Sequence, residues 1–331
     1  MNNPADAYAA LRDEISTVLV GNDELIEHLT ISLFTRGHVL VEGVPGVAKT
    51  TAANAFARAV GLDYTRIQMT PDVLPADITG THVFREGTGE FQLQRGPIFS
   101  NLALADEINR ATPKTQSALL EAMQENQVTI EGDTLPLPQP FMVIATQNPI
   151  EMEGTFDLPE AQRDRFQLKL VVDTPTRENE RILLDRFDDD AQLGARDVEQ
   201  VLTTEEVLEL RDVVEDIHVA SSVKEYILDV VRAVREDDNV DVGSSPRAGI
   251  TFLNTTKARA AIRGRDYVIP DDVKALARPV LRHRIVLSTE ADLGSIDAED
   301  VVEDVLERIA PPEVSGFQFG DETRDAPTAD E

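Results

Sequence analysis

The spacing of apolar residues changes along the chain and predicts where the elements lie. Over residues 1–35 apolar side chains recur every three or four positions, which predicts amphipathic helices. From residue 38 to about 172, short apolar runs alternate with helical stretches. The runs predicted as buried strands are HVLVEG (38–43), LALADE (102–107), FMVIATQNP (141–149) and FQLKLVVD (166–173). This alternation predicts an α/β fold, a parallel sheet flanked by helices.

Two further regions complete the pattern. Residues 71–97 interrupt the α/β core with turn residues and a strand-like FQLQ, and we interpret them as an insertion. Beyond residue 175 the chain is predicted to form a smaller all-α domain. Its helices are expected near 178–187, 204–217, 221–235, 247–263, 271–283 and 297–309. The predicted parts are therefore N-terminal helices (1–35), the α/β core (36–175), the helical domain (176–312) and an acidic, disordered tail (313–331).

The charge balance is the unusual feature of the composition. Sixty-one Asp and Glu against 31 Lys and Arg leave a formal net charge of −30. Such a surface repels itself in dilute buffer, whereas molar salt shortens the Debye length to about 3 Å. We interpret the chain as a protein of a salt-rich cytoplasm, and an acidic protein of ordinary cytoplasm is the alternative. The charge also argues against broad nucleic-acid binding, because that needs a basic surface.

Composition and N-terminal pattern exclude several other classes. The absence of cysteine excludes disulfides and thiolate metal sites. The sequence has no run of eighteen or more apolar residues, so no transmembrane helix is expected. The first residues lack the pattern of a secretory signal. The five histidines are scattered, without the spacing of a ligand pair. We therefore expect a cytoplasmic location, no membrane insertion, and no metal other than Mg²⁺.

The first candidate for chemistry is VEGVPGVAKTTAA, residues 41–53, where a predicted strand turns into a helix. It nearly matches G-x-x-x-x-G-K-[ST], a loop whose backbone N–H groups bind phosphates, but Ala48 stands where the last glycine belongs. Lys49 is expected to reach the β- and γ-phosphates of ATP, and Thr50 to offer its hydroxyl to Mg²⁺. Ala48 costs roughly 1–2 kcal/mol if its φ is positive and almost nothing if it is helical, which the sequence leaves open.

Polar residues follow two further predicted strands. Asp106 follows the apolar run LALA (102–105), where a carboxylate suits Mg²⁺ coordination, and the adjacent Glu107 can orient and deprotonate the attacking water. A solvated acidic turn is the alternative. Asn148 ends the next strand, where its amide could hold the water or sense the γ-phosphate. A simple Asn-Pro turn is the alternative there.

Three arginines complete the set of candidates. Arg163 and Arg165 lie in LPEAQRDRF, and an arginine delivered to the γ-phosphate from a neighbouring subunit stabilises the charge of the transition state. Arg247 lies on the first turn of a predicted helix, where a cation opposes the helix dipole. It is expected to have an anionic partner, either the phosphates of ATP or a nearby Asp or Glu.

Together these segments resemble the MoxR family of AAA+ ATPases, with an acidic composition of haloarchaeal type. GVPGVAKT is similar to the family's Walker A loop, in which alanine before the lysine is a familiar variant. LALADEINR resembles Walker B, ATQNP sensor 1, LPEAQRDRF the arginine-finger segment and SSPRA sensor 2. The similarity extends from about residue 8 to 310.

The resemblance implies an ATPase that uses ATP and Mg²⁺, with a helical lid at 176–312, and that forms a homo-oligomer, a hexameric ring. The implied catalytic residues are Glu107, Asn148, Arg165 and Arg247. Those implied to bind ATP are Val20, Gly21, Gly43, Val44, Pro45, Gly46, Val47, Ala48, Lys49, Thr50 and Thr51, with Thr50 and Asp106 on the metal. Arg165 matches the finger position better than Arg163, because the DRF triplet is the recurrent part.

The resemblance also implies chaperone-like remodelling of protein complexes, including the insertion of metals or cofactors. A partner protein with a von Willebrand factor A domain is implied, and no residue identifies the client. Residues 71–97 resemble the family's helix-2 insert, and 125–138 resemble its hairpin before sensor 1. In a ring both are expected to face the pore, where clients are engaged.

Two other functions stay open from the sequence. Related ring ATPases unwind DNA, and the stretches KARAAIRGR (257–265) and ARPVLRHR (277–284) are locally basic. The acidic composition weighs against such a nucleic-acid motor, and we expect these stretches to lie on lid helices facing acidic neighbours. The other alternative is a slow, nucleotide-gated binding scaffold, against which the Asp106-Glu107 pair argues.

Overall fold

The computed structural model describes residues 3–87, 89–149 and 154–312 of the chain. The helices are α1 (Pro4–Ile15), α2 (Asp23–Phe34), α3 (Lys49–Val60), α4 (Pro75–Thr79), α5 (Pro113–Glu125), α6 (Glu160–Arg163), α7 (Arg177–Asp189), α8 (Thr204–Glu215), α9 (Ser221–Arg235), α10 (Pro246–Ile262), α11 (Pro270–Leu281), α12 (Thr289–Leu293) and α13 (Ala298–Arg308). The strands are β1 (Val39–Gly43), β2 (Tyr64–Gln68), β3 (Gly80–Arg85), β4 (Glu90–Arg95), β5 (Leu102–Asp106), β6 (Gln127–Ile130), β7 (Asp133–Pro136), β8 (Met142–Gln147), β9 (Leu168–Val172), β10 (Val240–Val242) and β11 (Val286–Leu287). The tail predicted to be disordered, 313–331, lies outside the described residues.

A five-stranded parallel sheet forms the centre of the molecule, in the order β2-β5-β8-β1-β9. Strand β5 is buried along its whole length and β8 along all but its last residue, because helices cover both faces of the sheet. The predicted α/β class with a parallel sheet is confirmed. All five strands run the same way, so their carboxyl ends meet at one edge.

Strand β2 was not among the predicted strands. It lies at the edge of the sheet, and of its residues only Ile67 is buried. An edge strand that faces solvent lacks the continuous apolar run that marks a central one, so the sequence pattern misses it.

Two β-hairpins project from the core. Residues 71–97 form α4 and the antiparallel pair β3–β4, and β6 pairs with β7 within residues 125–138. The β6–β7 turn consists of Glu131 and Gly132, both with positive φ (50° and 104°), the backbone that a tight hairpin turn requires. The two hairpins contact each other, because strand β3 touches strand β6.

The helices after residue 175 are amphipathic and pack through their apolar faces, both on one another and on the core. Helix α9 is an example, with buried residues at helical spacing at Val223, Tyr226, Ile227, Val230, Val231 and Val234. Each of the six helices predicted after residue 175 is observed, and Pro246 and Pro270 begin α10 and α11. The short α12 and the two-stranded β10–β11 pair were not predicted. The domain boundaries themselves stay a prediction.

Two hydrophobic clusters fill the interior. One joins α1 and α2, α3 with its face of the sheet, and the lid helices α8 to α11 and α13. The other lies on the opposite face of the sheet, under α5 and the insertion. The first cluster therefore fixes the lid against the side of the core that carries the phosphate-loop candidate. In the described parts of the chain, we find no helix with both the length and the apolar character to cross a membrane.

Candidate active site

A cavity of about 1680 Å³ opens at the carboxyl edge of the sheet, between the core and the lid. Residues that follow or end β1, β5, β8 and β9 line it, and so do parts of α2, α7, α11 and α13. Ligands of open parallel sheets bind at this edge. The volume exceeds the roughly 300–1,000 Å³ of ordinary small-molecule pockets, so a nucleotide has room.

The loop between β1 and α3 forms one wall of this cavity. Ala48 has φ 60° and ψ 22°, the left-handed backbone that a glycine would adopt without strain. Gly46 also has a positive φ of 89°. A Cβ on Gly43 would lie 2.6 Å from the Val172 carbonyl oxygen, so only glycine fits where the loop passes β9. The geometry of a phosphate-binding loop is kept, and the alanine bears a strain of roughly 1–2 kcal/mol.

Lys49 lies at the start of α3 and is held by its own loop. Its Nζ donates to the carbonyl oxygen of Gly43 and, at 3.1 Å, to that of Val44. Burial lowers the pKa of Lys49, and the nearby carboxylates of Asp106, Glu107 and Glu42 oppose that shift. A partly desolvated ammonium surrounded by oxygen acceptors is ready to exchange carbonyl partners for phosphate oxygens.

Asp106 ends β5 and has two partners. Its Oδ1 accepts from Thr146 Oγ1 at 2.5 Å, and its Oδ2 accepts from Arg66 Nη2 at 2.5 Å and Nε at 2.9 Å. The Arg66 guanidinium thus forms an ion pair with the Asp106 carboxylate. Carboxylate and hydroxyl oxygens are hard ligands, so Asp106 and Thr50 fit Mg²⁺.

Glu107 follows with a strained backbone, at φ 59° and ψ 52°. Its amide N–H donates to Thr146 Oγ1 at 2.8 Å, and its carboxylate accepts from Gln68 Nε2 and Arg110 Nη1, both at 3.0 Å. A left-handed backbone is strained for residues other than glycine, and such residues are found preferentially at functional sites. Because Thr146 donates to Asp106 and accepts from Glu107, one hydroxyl fixes both acidic residues.

Asn148 lies directly after β8 and is buried, with 6% of its surface exposed. It lines the same cavity as the two acidic residues. The candidate residues that the structure brings to the cavity are Val20, Gly21, Pro45, Gly46, Val47, Ala48, Lys49, Thr50, Thr51, Asp106, Glu107 and Asn148. Gly43 and Val44 contribute through the carbonyl groups that hold Lys49.

The three candidate arginines lie elsewhere. Within the described residues, the cavity lining does not include Arg163, Arg165 or Arg247. Segment 163–165 instead contacts the start of α10, where Ser245 Oγ donates to Asp164 Oδ2 at 3.0 Å. Arg247 follows two residues later and is exposed on the first turn of α10. Arg247 thus does not line the cavity of its own subunit, and the roles of the three arginines stay predictions.

Several residues at the site escaped the sequence analysis. Arg66 and Thr146 lie inside strands. For Thr146 the available signal was its polar side chain within the apolar run FMVIATQ. The lid contributes Arg278 and Arg282 from α11 and its end, paired with Glu303 at 2.8 Å and Glu299 at 3.3 Å. Their position depends on how the lid docks, which the spacing of residues within one helix does not reveal.

Comparison with known proteins identifies the class to which this fold and site belong. Residues 38–168 match the model of the "ATPase family associated with various cellular activities (AAA)", and residues 232–305 match the AAA lid domain. The chain is thus an AAA ATPase with a lid. It is 45% identical over 311 residues to Chaperone MoxR1 of Mycobacterium tuberculosis, covering 91% of this chain and 81% of that protein. The chain belongs to the MoxR family of AAA ATPases.

Two further comparisons extend this result. The crystal structure of a proposed ATPase from Cytophaga hutchinsonii superposes with a TM-score of 0.87 at 40% identity, covering 94% of this chain and 96% of that one. A more distant relative, a magnesium-chelatase subunit ChlI homolog of Methanocaldococcus jannaschii, is 25% identical over 322 residues, covering 81% of this chain and 84% of that protein. The predicted family is confirmed.

Proposed function

We propose that this ATPase uses Mg²⁺-dependent hydrolysis to drive chaperone-like remodelling or maturation of protein complexes, as a homo-oligomeric ring of six subunits. One observation carries the proposal: Lys49, Asp106, Glu107 and Asn148 line a single cavity at the carboxyl edge of the sheet. These are a phosphate-binding cation, two carboxylates and an amide. That set suits phosphoryl transfer to water.

Each residue has a distinct task in this proposal. The loop N–H groups and Lys49 bind the phosphates, and Lys49 exchanges its carbonyl partners for phosphate oxygens. Glu107, aimed by its strained backbone, orients the attacking water and accepts its proton. Asn148 holds that water or the γ-phosphate through its amide. Thr50 and Asp106 would hold Mg²⁺, which neutralises phosphate charge when bound.

The arginines support a ring. Arg163 and Arg165 lie away from their own cavity, half-buried at the end of α6. An arginine of this segment, Arg165 by resemblance, would therefore act on the ATP of a neighbouring subunit. Arg247 is near the same segment and would act from the same side. The geometry favours delivery to the next subunit over a contact within one subunit.

Remodelling of proteins is supported by the relatives and by one surface. The names of the relatives describe a chaperone and a metal-chelatase subunit. On the β3–β4 hairpin Phe84 and Phe91 are 51% and 70% exposed, with ring centroids 5.3 Å apart. An exposed aromatic pair on a projecting hairpin suits contact with a polypeptide client. The partner with a von Willebrand factor A domain and the cytoplasmic location belong to the same proposal.

Hydrolysis is tested by replacing the proposed base. Glu107→Gln keeps the size of the side chain but cannot accept a proton, so ATP turnover in molar KCl should fall by roughly 10²-fold or more. Glu121→Gln, the same change on the exposed face of α5, is the matched control. Equal rates for Glu107→Gln and the parent would contradict the assignment of the base.

The same variant tests the class of client. With ATP bound and not hydrolysed, Glu107→Gln should stay on what it engages, and we would isolate it from its own cells at native salt. Recovery of a protein with a von Willebrand factor A domain or of an immature metalloprotein supports remodelling. Recovery of DNA together with replication or repair proteins would contradict remodelling and indicate a nucleic-acid motor.

A further inference from the structure

Three consecutive lid residues, at the point where α11 ends, reach two different places. Arg282 lines the nucleotide cavity, where its Nη1 lies 3.3 Å from Glu299 Oε1. The next two residues, His283 and Arg284, contact the segment 163–167 instead. This segment carries both candidate finger arginines. Adjacent side chains of one short stretch therefore join the cavity of a subunit to its finger segment.

The contacts with the finger segment are specific and directional. Arg284 Nε donates to Asp164 Oδ1 at 2.8 Å, and its Nη2 donates to the Phe166 carbonyl oxygen at 2.7 Å. His283 Nε2 donates to the same carbonyl oxygen at 3.0 Å, since a carbonyl can only accept. Arg284 Nη1 adds a bond to the Gln167 carbonyl oxygen at 3.2 Å.

These contacts are buried, so the end of α11 and the finger segment are bound to each other rather than merely adjacent. Only 3% of Arg284 and 1% of His283 are exposed. Ser245 takes the second carboxylate oxygen of Asp164 at 3.0 Å, so the lid binds both of its oxygens. A desolvated guanidinium with fixed acceptors gives them up only at high cost. The finger segment is therefore expected to follow any movement of the end of α11.

We propose that residues 282–284 act as a relay between the nucleotide cavity and the finger segment of the same subunit. Arg282 lines the nucleotide cavity, so a bound nucleotide would compete with Glu299 for its guanidinium. His283 and Arg284 are positioning residues that place the finger segment accordingly. The inference rests on the proposed function, in which an arginine of this segment acts on the ATP of the neighbouring subunit. The nucleotide state of one site thereby sets hydrolysis at the next.

The test uses mixed assemblies of two inactive variants. Subunits with both Arg163→Ala and Arg165→Ala keep their own site but supply no finger, whereas Glu107→Gln subunits supply the finger without hydrolysing. Mixing the two should restore ATP turnover. We call the Glu107→Gln subunits, which supply the finger, the donor subunits. Adding Arg284→Lys to the donor keeps a cation at position 284 but removes the planar guanidinium fork. The restored turnover should then fall roughly tenfold, as expected for a misplaced catalytic group.

Two further donors separate a relay from a structural role. Glu107→Gln with Arg282→Gln should also restore less turnover, although Arg282 does not touch the finger segment in the contacts described. Glu107→Gln with Arg308→Lys, the same type of change on the surface of α13, should restore turnover fully. A purely structural role of Arg284 would leave the Arg282→Gln donor fully effective, and that result would overturn the relay.

The outcomes distinguish this inference from the proposed function. If the parent donor restores no turnover at any ratio, the inter-subunit site and the relay are both overturned. If the parent donor and the Arg284→Lys donor restore turnover equally, the relay alone is overturned. Thermal unfolding of each donor checks its fold. Should Arg284→Lys not fold, Asp164→Asn weakens the same contact from the other side and is expected to give the same loss.

Discussion

Ala48 carries a left-handed backbone between the loop and α3, so its side chain is a source of strain. Ala48→Gly should raise the free energy of unfolding by about 1 kcal/mol, because glycine adopts φ 60° without the clash of a Cβ. Ala10→Gly within α1 is the matched control. There the same change should lower stability by about 1 kcal/mol, since the backbone is helical. Denaturant unfolding in molar KCl measures both, and a loss at both positions would argue against strain at Ala48.

His38 is a buried imidazole whose charge state links stability to pH. Val143 N–H donates to its Nδ1 at 2.9 Å, so Nδ1 accepts and Nε2 carries the proton toward the Met123 carbonyl oxygen, 3.0 Å away. Burial lowers the pKa of His38 from 6.5 to about 4. The folded pKa lies below the unfolded value, so the unfolded chain takes up the proton first. Stability is kept above pH 6.5 and lost as the pH falls toward 4.

A substitution isolates this contribution. The free energy of unfolding of the parent should fall between pH 7 and pH 5 by roughly 2 kcal/mol more than that of His38→Gln, which has no imidazole to protonate. His218→Gln, on an exposed side chain, is the matched control for the loss of an imidazole. Parallel curves for parent and His38→Gln would show that His38 is not the titrating group.

The limits of prediction are clearest at single residues. The Walker-like loop, Asp106, Glu107 and Asn148 were found because each is a polar residue or turn at the end of an apolar run. The φ of Ala48 was left open, because alanine is compatible with both conformations and only the docking of the loop decides between them. Arg66 was missed because its partner Asp106 lies 40 residues further on, and only the pairing of β2 with β5 brings them together.

Among the elements, the lid shows how charge and packing cooperate. The two locally basic stretches pair with acidic neighbours, as expected from the sequence. On α10, Arg259 and Arg263 contact Glu27 of α2 at 3.3 and 2.6 Å. These arginines are therefore committed to the joint between core and lid. That use of the basic residues weighs against a nucleic-acid surface on this face.

Asp272 of α11 holds the lid side of this joint, because it binds Arg259, and it is fully buried. It accepts from Arg259 at 2.7 Å and from Arg265 through both oxygens, at 2.7 and 2.8 Å. Asp272→Asn leaves these guanidinium groups without their charge partner and should lower the free energy of unfolding by about 3 kcal/mol or more. Asp271→Asn, one residue earlier and exposed, should change it by less than about 0.5 kcal/mol. Similar losses at both positions would show that the network contributes little.

For the whole molecule, the net charge of −30 decides the conditions under which the fold is stable. The charge is spread over the chain, so folding brings like charges together on most of the surface. The Debye length falls from about 10 Å at 0.1 M salt to about 3 Å at 1 M, and repulsion between neighbouring surface carboxylates falls with it. The ion pairs at the core–lid joint are largely buried and should be screened less than the surface repulsion. The net effect of added salt should therefore be stabilising.

The expected result is a free energy of unfolding that rises steeply as KCl increases from 0.1 M to 1 M and then levels off, because screening saturates once the Debye length is shorter than the spacing of the charges. Thermal unfolding across a KCl series measures the rise. Sucrose at matched osmolality is the control, since it strengthens burial by exclusion from the surface without screening charge. An equal gain in sucrose would assign the effect to exclusion. A chain that is folded and active at 0.1 M KCl, with no gain above it, would show that the acidic surface is not an adaptation to salt.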